Sequence, residues 1–335
     1  MDNLYLNIIG FLVCGLIILI SGIKLTKYGD ILAEMLGWGK MFMGIILMSS
    51  VTSIPELMSG MSSVLIVDAP NLAVGDIVGS CAFNILIISI MDFFYNPKKP
   101  LTSVAQPGHV MVAALSIVML SFVAMAIIMP GVYGSIGWIG GSSLVFLTLY
   151  FISIRVLYKY EKKHRSKSEK TSTEGYTKKE VVQKYIKNAL FVMLAAMALP
   201  YFGEHLAAVS NLGQSFFGTL FLAGSTSLPE IVVSVAAIRM GTIDLAIGNI
   251  FGSNIFNIGI LALDDIFYFK GPLLMDTSLN HIVPILGTII ITAIGITGIV
   301  YKSERKWKLA IDTVLILLVF ILMMVVLYYR VNPSN

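Results

Sequence analysis

Hydrophobic and polar positions along the chain come in long blocks. Apolar runs recur that are long enough to cross a bilayer, which takes about 20 mostly apolar residues as a helix. By that measure about ten spans are predicted, near residues 3–22, 41–65, 70–95, 107–130, 135–157, 185–202, 215–238, 243–268, 281–300 and 309–329. The one long polar segment, 158–184, is rich in Ser, Thr, Lys and Glu and carries Lys162-Lys163-His164-Arg165-Ser166-Lys167. It reads as a flexible linker dividing the spans five and five. The expected fold is an all-α polytopic membrane protein with halves at 1–157 and 185–335.

Composition narrows the class. Of 335 residues, 57% are hydrophobic and 13% charged, and the mean hydropathy is +0.86, which excludes an ordinary soluble domain. No basic, aromatic-interleaved face points to nucleic acid. Cys14 and Cys81 both fall inside predicted spans, so no disulfide framework is expected. Residues 1–22 lack a basic leader and a small-residue cleavage site, and read as a first span. The basic residues orient the layout. Of 23 lysines and arginines, all but Lys270 and Arg330 fall on the linker's side. The positive-inside rule then puts the linker in the cytoplasm and both termini outside. The expected location is the cell membrane.

The halves repeat each other. At an offset of about 174, Gly29-Asp30 aligns with Gly203-Glu204, and Thr52-Ser53-Ile54-Pro55-Glu56 with Thr226-Ser227-Leu228-Pro229-Glu230. One residue less aligns Gly79-Ser80 with Gly252-Ser253, and Phe83-Asn84 with Phe256-Asn257. Five spans per half is an odd number, so the second half enters the membrane from the opposite face. The repeats are therefore inverted.

Each repeat carries chemistry at membrane depth. An ionisable residue there is costly and is by default a functional candidate. Glu56 and Glu230 each follow a proline, which breaks a helix and frees carbonyls as ligands. Around them stand Thr52, Ser53, Ser80 and Asn84 in one repeat, and Thr226, Ser227, Ser253 and Asn257 in the other. Thr52 and Glu56 are four apart, as are Ser80 and Asn84, so each pair is expected on one helix face. All of these side chains offer oxygen, and no His or Cys joins them as a ligand. Such a set suits a hard cation, and two glutamates neutralise one divalent ion.

At these residues the chain resembles the calcium/cation antiporter superfamily, most closely its prokaryotic sodium/calcium exchangers. The motifs are Ser-Ile-Pro-Glu, Ser-Leu-Pro-Glu, Gly-Ser-Cys-Ala-Phe-Asn and Gly-Ser-Asn-Ile-Phe-Asn, found together in this order. The resemblance implies that Glu56 and Glu230 bind calcium, with Thr52 and Thr226 helping through backbone carbonyls. It implies that Ser53, Ser227, Ser80 and Ser253 complete sodium sites with a carbonyl near Ala223, and that Asn84 and Asn257 sit at the centre. It also implies long first and sixth spans that slide against the rest. Three positions depart from the family pattern or from repeat symmetry. Asn257 stands where several relatives have Asp, which argues against potassium dependence and leaves two carboxylates. Ser50 lies opposite Gly224, and Cys81 opposite Asn254.

The function expected is therefore secondary antiport, sodium against calcium, by alternating access, with the transported ions as ligands and no cofactor. Calcium/proton antiport is the alternative. An intramembrane enzyme using the two glutamates is a rival from another class, but no nucleophile–base pair or metal-hydrolase motif lies nearby. Blander roles are expected elsewhere. Gly75, Gly79, Gly248 and Gly252 read as close-packing positions, and Asp30 and Glu204 as structural charges near the membrane faces. Glu34, Asp92, Asp264 and Asp265 read as interfacial. His109, His205 and His281 read as isolated. Asp76, opposite Asn249, has no role assigned.

Overall fold

The structure is a computed structural model that describes residues 4–95, 99–164, 175–209, 224–302 and 310–331, with backbone only at 4, 200, 203–209 and 331. Among these residues nine helices are long and apolar enough to cross a membrane. The expected span at 215–238 is described only from 224 onward, and its helix α10 covers Leu228–Arg239. The other main helices are α1 (Leu4–Leu36), α5 (Pro70–Phe94), α7 (Gly108–Ile128), α8 (Gly141–His164), α9 (Lys178–Val209), α11 (Ile243–Phe267), α12 (Ile282–Tyr301) and α13 (Ile311–Val331). Between α1 and α5 runs a broken helix. Its pieces are α2 (Lys40–Met43), α3 (Ser49–Thr52) and α4 (Ile54–Ser62), with π-turns at Gly44–Met48 and Ser63–Val67. A short α6 (Leu101–Val104) precedes α7.

Three boundaries differ from the sequence reading. Helix α1 continues past residue 22 to Leu36, and its buried Asp30 pairs with Lys40 at the start of α2, at 2.8 Å. Residues 135–140 form a two-strand hairpin, β1 (Ser135–Ile136) with β2 (Ile139–Gly140), so α8 starts later than predicted. The polar segment is helical at both ends, since α8 runs to His164 and α9 starts at Lys178. Long Lys and Arg side chains reach water from a helix end without unwinding it.

Burial sorts the helices. In α11, 94% of the most apolar stretch is buried, against 28% in each of α1, α8 and α13. Helix α11 is thus the central post, with α5 crossing it, and α1 packs along α9 at the periphery. Tyr5, Leu6, Leu12 and Leu16 on α1 remain exposed, as a lipid-facing surface requires. Close approach needs glycine where the broken helix meets α11. A Cβ at Gly248 would press on the Met41 carbonyl oxygen at 2.6 Å, and one at Gly252 on the Ile45 carbonyl oxygen at 2.7 Å.

Two aspartates brace the inverted repeats against each other. Asp92 ends α5, where it accepts Leu101 N–H at 2.8 Å and Ala310 N–H at 3.3 Å, the latter just before α13. Its repeat mate Asp265 ends α11, where it accepts Leu273 N–H at 2.6 Å and Gly140 N–H at 2.8 Å, the latter just before α8. Each aspartate thus holds the entry to the last helix of the opposite repeat. Buried carboxylates stay tolerable when backbone N–H groups meet them. Asp92, Asp264 and Asp265 lie in the last turns of α5 and α11, and all three are buried within the protein, at 1%, 0% and 2% exposure.

Candidate ion-binding site

The helix break falls at Ser53, with φ −93° and ψ 7°, and its mate Ser227 adopts nearly the same turn, at φ −81° and ψ 3°. Pro55 has no N–H to give the Val51 carbonyl, and Pro229 repeats this arrangement in the second half. A continuous helix face linking Thr52 to Glu56 is therefore corrected, because the break separates them. What the breaks achieve is to start α4 and α10 at membrane depth, with Glu56 and Glu230 in their first turns. The positive end of a helix favours a carboxylate there.

Thr52, Ser53, Glu56, Ser80, Asn84, Thr226, Ser227, Glu230, Ser253 and Asn257 are all fully buried at 0% exposure, and they converge on the crossing of α5 and α11. Glu56 and Glu230 lie near enough for their charges to act on each other. Ser53 donates to Glu230 Oε1 at 3.2 Å across the repeats, and Ser253 donates to the same oxygen at 3.4 Å. Thr52 donates to Asn249 Oδ1 at 3.3 Å. Ser80 stands beside Glu56, with its hydroxyl 3.4 Å from that of Thr226, and Thr226 donates to Asp76 Oδ1 at 3.4 Å.

Several polar atoms here have no hydrogen-bond partner: both carboxylate oxygens of Glu56, Oε2 of Glu230, Oγ of Ser227, Oδ1 of Asn84 and both amide atoms of Asn257. Buried polar groups are nearly always paired, so a cluster of oxygens left over marks a place prepared for something else. Among the described residues no three His, Cys, Asp or Glu side chains gather as a metal cluster. The set is two carboxylates with hydroxyls and amides, which is a hard-cation chemistry. Ala223, expected to lend a carbonyl, lies outside the described residues, as do the side chains of Glu204 and His205.

The sequence reading missed the supporting residues. Asn254 receives Asn84 Nδ2 on its Oδ1 at 3.0 Å and donates to the Cys81 carbonyl at 3.2 Å, so its amide ties α5 to α11. Asn249 receives Thr52 and donates to Ser234 at 3.2 Å. Asp76 receives Thr226 as Asn249 receives Thr52. The alignment of Asp76 with Asn249 was the available signal. His109 is not isolated, since its Nε2 lies 3.0 Å from Asp244.

Comparison with known proteins decides the family. The sodium/calcium exchanger protein family profile matches residues 6–159 and 186–326. The chain belongs to this family. It is 26% identical to the sodium/calcium exchanger MaX1 of Methanosarcina acetivorans, over 95% of this chain and 97% of that one. It is 25% identical to the inner membrane protein YrbG of Escherichia coli K12, over 75% and 76%. Its fold is that of the sodium-calcium exchanger NCX_Mj, solved after soaking with sodium and strontium. The TM-score is 0.73 at 21% identity, covering 96% of this chain and 99% of that one. This membrane-embedded member of the exchanger family thus has the inverted-repeat architecture read from its motifs.

Proposed function

We propose that the chain is a secondary antiporter that moves calcium against sodium by alternating access, with Glu56 and Glu230 as the shared ion ligands. The observation that carries this reading is the pair of buried carboxylates, one from each inverted repeat, with three of their four oxygens unpartnered. One divalent ion between them neutralises the pair. Thr52, Thr226, Ser53, Ser227, Ser80, Ser253, Asn84, Asn257 and the carbonyl of Ala223 complete the calcium and sodium shells. Bound sodium occupies the same oxygens, so calcium and the sodium set exclude each other, and that competition couples the two fluxes. If the exchange moves net charge, each charge moved responds to voltage by about 2.3 kcal/mol per 100 mV. Inverted repeats supply two similar conformations open to opposite faces. The functional units are 1–157 and 185–335, joined by the cytoplasmic linker 158–184, with both termini outside the cell membrane. The full-length match to MaX1, itself named a sodium/calcium exchanger, supports sodium as the coupling ion.

The test is calcium uptake by reconstituted vesicles preloaded with sodium at fixed pH. Wild type accumulates calcium uphill, and Glu56→Gln and Glu230→Gln each lose uptake by about a hundredfold or more, since each leaves the buried calcium charge only half compensated. Uptake by either variant near the wild-type rate contradicts the assignment. Uptake driven by a proton gradient and indifferent to sodium replaces it with calcium/proton antiport.

A further inference from the structure

Two carboxylates lie off the Glu56–Glu230 pair, toward the end of the bundle opposite the linker. Asp264 is fully buried three residues before the end of α11, and neither of its oxygens has a hydrogen-bond partner. Its carboxylate lies so close to Gly60 that a Cβ there would strike it. Gly60 is one turn beyond Glu56 on α4, so Asp264 sits about 6 Å past the level of Glu56, at 1.5 Å per residue. Asp76, 3% exposed, receives Thr226 on Oδ1 and leaves Oδ2 unpartnered. Its charge acts on both Glu56 and Asp264, and Ser59 stands beside it.

The mirror positions at the linker end are different. By the repeat offsets, Asp76 corresponds to Asn249, Asp264 to Met91, Gly60 to Ser234 and Ser59 to Val233. There the amide of Asn249 is satisfied on both sides, by Thr52 and Ser234, and Met91 and Val233 are buried apolar side chains. The orphan oxygens at the far end thus have no counterpart. Repeat symmetry did not impose them, and helix packing does not use them. Buried unpartnered carboxylates are costly until a cation meets them.

We propose that Asp76 and Asp264 form a second site for a hard divalent cation of the calcium kind, on the far-end route to Glu56 and Glu230. This rests on the antiport reading above for its role as a station before the central site. Two carboxylates match the charge of one divalent ion, and Thr226 and Ser59 beside Asp76 add hydroxyl oxygens. An ion there enters the field of Glu56 through Asp76, whereas Asn249, the mate of Asp76, carries no charge.

The test is equilibrium dialysis of radioactive calcium with the purified full-length chain, without sodium. Wild type binds two calcium ions per chain, and Asp264→Asn binds one, still displaced by sodium, which also shows that the variant is folded. Asp76→Asn does the same, and Asn249 demonstrates that an amide fits that position. The double variant Glu56→Gln/Glu230→Gln keeps one ion, and adding Asp264→Asn removes it. In vesicles, Asp264→Asn raises half-saturating calcium about tenfold at the far face and less than about twofold at the linker face. Two calcium ions on Asp264→Asn with wild-type affinity, or equal shifts at both faces, overturn the proposal. Full calcium binding by the double glutamine variant contradicts the central site instead, and leaves this one to be judged by the loss of an ion on Asp264→Asn.

Discussion

The two halves of the site are built from the same motif and are finished differently. Glu230 is held by Ser53 and Ser253, whereas neither oxygen of Glu56 has a partner. Ser227, the mate of Ser53, has an unpartnered hydroxyl, where strict symmetry would aim it at Glu56. Below the site, toward the linker, Asn249 is neutral and satisfied. Above it, Asp76 is acidic and half-satisfied. The frame, by contrast, is closely symmetric, since Asp92 and Asp265 make the same crossed braces. On the antiport reading proposed above, symmetry in the frame lets the two repeats exchange conformations of similar energy. On the same reading, the ion meets Glu230 already oriented by Ser53 and Ser253, and Glu56 with only Ser80 beside it. Preorganisation of this kind shifts affinity without adding contacts.

That contrast can be broken in order of size. Removing either brace should be the costliest change. Asp92→Ala and Asp265→Ala each leave buried N–H groups unmet, at about 1–3 kcal/mol per group. Both should lower the thermal unfolding midpoint in detergent by similar amounts, and a large drop for only one would show that the frame is not symmetric. Next come the serines. Ser53→Ala takes a donor from Glu230 and should weaken calcium binding about tenfold, as expected for one hydrogen bond to a charged group. Ser227→Ala removes a hydroxyl that meets no protein group and is assigned to the sodium shell, so it should change calcium binding by less than about twofold while weakening the displacement of calcium by sodium. Equal losses of calcium binding measured by calorimetric titration would mean that both serines reach calcium equally. Smallest is Asn249→Asp, which gives the linker-end route the charge that Asp76 gives the far end. Half-saturating calcium at the linker face should fall about threefold in vesicle flux.

Much of this arrangement was legible in the residues. The spans follow from hydropathy because lipid demands it, and the paired Pro-Glu motifs stand out because carboxylates at that depth are rare. Inversion follows from five spans per half. The break at Ser53 was less legible, since proline marks a disruption and leaves its position to the surrounding packing. The burial of Asp92, Asp264 and Asp265 within the protein was not legible, for a definite reason. Hydropathy near a helix end looks the same whether water or another helix's N-terminus covers it. The hairpin at 135–140 was hidden by its own apolar residues, among them Ile136, Trp138 and Ile139. The unequal partners of Glu56 and Glu230 depend on side-chain angles that a repeated motif does not specify.

The central claim is that one calcium and the sodium set compete for the same two carboxylates. The most direct test is calcium bound to the purified protein as sodium is raised at constant ionic strength and pH. The account predicts that sodium expels the calcium held by Glu56 and Glu230 with a steep, greater than first-order dependence, because more than one sodium ion replaces each calcium. Calcium occupancy of that site unchanged by sodium would contradict it.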